Sequence, residues 1–77
     1  LDEAIELFQR ALRDLPANRT INMNTAKVLL LHMQRAGRDE RQLEQVRECL
    51  QRLQQLDPAA GAVQRLSALY RDVATQS

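Results

Sequence analysis

Tryptophan is absent from this sequence, and Phe8 and Tyr70 are its only aromatic residues. Single-stranded nucleic acid is held by bases stacked on exposed aromatic rings. Both rings here fall on apolar helical stripes and read as core, so that mode of binding has no platform. Cysteine occurs once, at Cys49, which excludes an internal disulfide and any paired-cysteine metal motif. Histidine also occurs once, at His32, with no second imidazole and no cysteine at ligand spacing. Neither sign of charge prevails: eleven Lys plus Arg face ten Asp plus Glu, a formal net charge of +1. No global field therefore draws the chain to nucleic acid or to an anionic membrane. The longest apolar run, Val28 to Leu31, falls far short of the roughly 20 residues that span a bilayer. No basic segment followed by an apolar one marks secretion, so a reducing, cytoplasmic setting is expected. Missing too are a glycine-rich phosphate loop, an HExxH helix and a serine-centred elbow. With no catalytic residue, metal ligand set or cofactor motif to name, the chain is not expected to be an enzyme.

What fills the sequence is Leu, Ala, Arg, Gln and Glu, punctuated by two prolines and two glycines. That is the composition of helices joined by short turns. The first helix carries Leu1, Ile5, Phe8, Ala11, Leu12 and Leu15 at three- and four-residue spacings, and Pro16 helps stop it. Either Asn18 or Thr20 caps the second, which runs to about Ala36 with Gly37 as a left-handed C-cap. Asp39 caps the third, whose stripe is Leu43, Val46, Leu50, Leu53 and Leu56 before Asp57-Pro58 ends it. The fourth spans about Ala59 to Ala74, with Val63, Leu66, Leu69, Tyr70 and Val73 facing inward. No segment alternates as a strand does. The expected class is all-α, about four antiparallel helices in a single domain.

Half of the chain echoes the other half. An offset of 42 residues pairs Glu6 with Glu48, Gln9 with Gln51, Arg10 with Arg52 and Pro16 with Pro58, and sets Phe8 on Leu50 and Ala11 on Leu53. The stretch EAIELFQRALRDLP, with Ala4, Phe8, Ala11 and Pro16, resembles the second helix of a tetratricopeptide (TPR) unit. The next unit, starting at Arg19, keeps Ala26 and Leu29 at the family's small and large positions but is about eight residues longer than the usual unit. Val46, Leu50 and Leu53 stand where the family places alanine, an aromatic and alanine. The resemblance divides the chain into an orphan second helix over 1–15, an elongated repeat over 19–58 and a capping or third-unit helix over 59–75. It implies stacked helix pairs, with a simple four-helix bundle as the alternative. It also implies that the first helix has lost a preceding partner.

A TPR-like stack implies a concave surface made by first helices, and hence a protein-binding function within a larger multi-domain protein. Here that groove would carry Thr20, Met23, Asn24, Lys27 and Leu31 from the second helix, on one side of it, and Gln64 and Arg65 from the fourth. Its ligand would be a peptide or a helix of a partner protein, with Asn24 and Lys27 able to hold a carboxylate or backbone. Alternatively, the first helix exposes Ile5, Leu12 and Leu15, and two chains associate to cover them as a homodimer. Attachment to a bacterial signalling domain is a further implication of the resemblance. The remaining candidates read more simply as structure: Cys49 as a small buried filler, and His32 as a packing or surface residue. The cluster Arg35, Arg38 and Arg41 reads as a solvated turn, since Asp39 and Glu40 are interleaved with it. Asn18-Arg19-Thr20 matches a glycosylation sequon only by chance.

Overall fold

The computed structural model describes residues 2–75, with the side chain of Asp2 left aside, and Leu1 lies outside it. Four α-helices follow one another: α1 (Asp2–Asp14), α2 (Arg19–Ala36), α3 (Glu40–Leu56) and α4 (Gly61–Thr75). The described residues contain no strand.

Local chemistry sets the boundaries. Of the two candidate caps for α2 it is Asn18 that serves: its backbone is extended and its side-chain oxygen accepts from the Ile21 N–H at 3.0 Å. Asp39 does the same for α3 through the Gln42 N–H at 2.9 Å. After α2 the chain turns at Gly37, with φ +103° and ψ 163°. That is positive φ, as expected, but combined with extended ψ rather than the left-handed helical cap, a region open essentially to glycine alone. Helix α4 begins two residues later than its composition suggests. Pro58 and Ala59 occupy the middle of a turn closed by the Ala60 N–H donating to the Asp57 carbonyl at 3.2 Å. The turn before α2 is built in the same way, with Pro16 and Ala17 in the middle and the Asn18 N–H donating to the Leu15 carbonyl at 3.1 Å. The ends of α1 and α3 (Asp14, Leu56) and the starts of α2 and α4 (Arg19, Gly61) are each 42 residues apart. The sequence echo is therefore also an echo of helix ends and turns.

Packing centres on α2, which lies against α1, α3 and α4. Ala26, Leu29, Leu30 and Met33 of α2 form the core with Leu43, Val46, Cys49, Leu50 and Leu53 of α3. Val63 and Val73 anchor α4, while Leu66, Leu69 and Tyr70 are only half-buried. Leu56, at the end of the α3 stripe, is exposed. Backbones of α1 and α4 do not approach each other, so the four helices do not close into a ring. Helix α1 packs closely on α2 alone and reaches α3 through a side-chain hydrogen bond, Gln9 Nε2 donating to Gln45 Oε1 at 2.9 Å.

Polar side chains fasten the turns to this frame. Asn22, fully buried, donates to the carbonyls of Pro16 and Asn18 at 2.9 and 2.7 Å, and its own oxygen accepts from Arg52 at 3.3 Å. One amide thus ties the α1–α2 turn to α3. Arg19 pairs with Asp57 at 2.7 Å across the start of α2 and the end of α3. Arg38 donates to the Ala74 carbonyl at 2.8 Å, satisfying an acceptor at the end of α4.

Candidate binding groove

Helices α2 and α4 leave a groove of about 320 Å³ between them. From α2 it is lined by Met23, Asn24, Lys27 and Leu31, whose spacing puts them along one side of the helix. From α4 come Ala62, Arg65, Leu66 and Leu69, again one stripe. The walls are apolar, with two cations and one amide placed among them. Four of the expected groove residues are therefore together, with Arg65 facing them. Thr20 is exposed and does not line the groove. Gln64 is a correction: it lines a different recess with Gln54, Pro58, Ser67 and Arg71, on the side of α4 away from α2. One residue step turns a helix by about 100°, so Gln64 and Arg65 cannot share a face, and it is Arg65 that turns toward α2.

Charge is segregated in a way the net value hides. Helix α2 contains Arg19, Lys27 and Arg35 and not one Asp or Glu, while the first half of α1 carries acids and no Lys or Arg. Among the described residues, Arg19, Arg38, Arg47 and Arg52 each have a carboxylate partner, whereas Lys27 and Arg65, like Arg10, Arg13, Arg35, Arg41 and Arg71, have none. The groove therefore holds two uncompensated cations, and no carboxylate lines it.

The expected self-association face is corrected as well. Ile5 and Leu12 are 7% and 6% exposed and belong to the core, because residues seven apart share a helix face and that face of α1 is buried on α2. Leu15 remains exposed at 54%, and among the described residues the most exposed large apolar side chain is Leu7, at 63%.

His32 lines a small recess with Val28, Leu31 and Arg35, and its Nδ1 is buried without a hydrogen-bond partner. No cluster of metal-binding side chains occurs among the described residues. No described helix is long and apolar enough to cross a membrane. Arg38 is engaged with Ala74 and with Glu40 at 3.2 Å, so the arginines around Gly37 do not form a free triad.

Cys49 is fully buried, and that burial pushes its thiol up from 9.0 to about 11. The native protein thus keeps the thiol proton over a range in which the unfolded chain has lost it. Stability is unaffected by this group below about pH 9 and falls as pH rises toward about 11. Two units correspond to roughly 2–3 kcal/mol. Urea unfolding of the wild type and of Cys49→Ala across that range checks it: the wild type should lose stability relative to the variant as pH rises.

No protein-family model matches the chain, and no curated protein or solved structure is significantly similar to it.

Proposed function

We propose that this chain is a non-catalytic protein-interaction module, a degenerate TPR-like pair of helical units whose α2–α4 groove takes a peptide or helix of a partner. The observation that carries the reading is the groove itself: an apolar trough between two helices with Asn24, Lys27 and Arg65 at its polar positions. Such a composition, apolar walls with a few placed polar groups, is what ligand grooves share. The recurrence of helix ends and proline turns at one offset supports the repeat reading. So does the placement of α4 on both α2 and α3, as each new helix of a stacked array meets its neighbours. A random-sequence peptide library panned in parallel on the wild type and on the double variant Asn24→Ala, Lys27→Ala tests it. Sequences enriched on the wild type and lost on the variant, with both proteins melting alike, are the expected result. Equal enrichment on both, or none, would remove this groove as the binding site.

A further inference from the structure

We propose that the groove's occupant is helix α1 of a second copy of this chain, docked head to tail; this names the ligand of the groove described above and rests on that reading. The inference comes from two surfaces of one molecule that complement each other but do not meet within it. On α1, Leu7 stands 63% exposed, with Glu3 one turn before it and Glu6 beside it, both exposed. No Lys or Arg occurs in α1 before Arg10, so Leu7 has carboxylates on its N-terminal side and the exposed Arg10 one turn after it. The groove is the converse. Its exposed leucine, Leu31, and the half-buried Leu66 and Leu69 lie with Lys27 and Arg65, which lack any acidic partner among the described residues.

Docking would bring Leu7 onto the apolar wall and Glu3 and Glu6 toward Lys27 and Arg65. The apolar face of α1 is already buried on α2 of its own chain, so Leu7 is the one apolar anchor and the carboxylates set the orientation. Backbones of α1 and α4 do not approach each other in one chain, so the contact is intermolecular. Because the two surfaces differ, the interface is heterologous: each added copy leaves one groove and one α1 free until a ring closes, so association goes beyond a dimer. The framing charges are exposed, so added salt weakens the contact.

Sedimentation equilibrium over a broad concentration range tests the proposal, using the wild type, the α1 variant Glu3→Lys, Glu6→Lys and the groove variant Lys27→Glu, Arg65→Glu. The wild type is expected to rise above monomer mass with concentration and to fall back at high salt. Each variant alone should associate more weakly by about tenfold or more, since like charges then face each other. An equimolar mixture of the two variants should regain association, because each supplies the surface the other has reversed. Thermal melts confirm that the variants are folded, and Leu7→Ser, which changes no charge, should weaken association as well. A wild type monomeric at every concentration, or association indifferent to the reversals, or a mixture that stays monomeric, would overturn the proposal. A monomeric wild type that still selects peptides through Asn24 and Lys27 would leave the groove reading intact and assign the groove to another protein.

Discussion

The Leu12→Asp variant is expected to lose its cooperative melt near room temperature, not merely to change its association state. Leu12 is in the core and α1 packs closely on α2 alone, so this side chain carries a large share of what holds the first helix down. Removing a buried leucine forfeits about 2–3 kcal/mol of apolar burial. A carboxylate in its place must either stay charged against an apolar wall or take up a proton, at a further cost of several kcal/mol. A domain of 77 residues has about 4–12 kcal/mol of stability in all, so the sum approaches or exceeds the whole. Helical circular dichroism followed against temperature and urea reads the outcome. Ile5→Asp should be milder, since Ile5 lies near the start of α1, where fraying can carry the charge to water. A Leu12→Asp protein that kept the wild-type melt while its mass changed would put Leu12 back on an intermolecular face.

The same residue shows what sequence reasoning could and could not reach. Helix ends are legible because they are written in local chemistry: Asn18 and Asp39 can each satisfy an orphan N–H three residues on, and Pro16 and Pro58 cannot continue the helices before them. The outward side of α1 was not legible in the same way. Its apolar stripe is broad, and choosing between Ile5 with Leu12 and Phe8 with Ala11 as the buried edge depends on how the helix rolls against α2, a tertiary property. The roll chosen leaves Phe8 half-buried and exposes Leu7, which lies off the expected stripe. On the groove, the choice of α2 comes with the TPR resemblance and periodicity puts its residues on one side; on α4, where Gln64 and Arg65 are both expected, the roll of the helix keeps Arg65 and turns Gln64 away. Asn22 carries no signal in the sequence, because a polar residue on a helix is ordinarily solvated. Only the folded turn brings the Pro16 carbonyl and Arg52 within its reach. Charge segregation is written in the sequence as the lack of any acid in α2, a feature that the near-zero net charge of the whole chain conceals.

Leu53→Ala should cost nearly as much, and for a reason rooted in the repeat. At the echoing position in α1 the chain places Ala11, which is half-buried, whereas Leu53 is fully buried in the core on α3, a helix packed on both α2 and α4. An interior helix has neighbours on more sides than an end helix, and the larger side chain fills the space that this creates. Truncation to alanine removes the burial and leaves a cavity that a helix packed on two neighbours cannot easily close. At its end, α3 is tied to the start of α2 by the Asp57 pairing with Arg19. The expected loss is about 2–5 kcal/mol, read as a lower urea midpoint at unchanged slope. Ala11→Leu in the other copy is the control: with α1 packed on one neighbour only, the added side chain can turn toward solvent, and the midpoint should move little. If both substitutions shifted the midpoint equally, the two units would be packed alike, and the distinction between an end helix and an interior helix would not describe this fold.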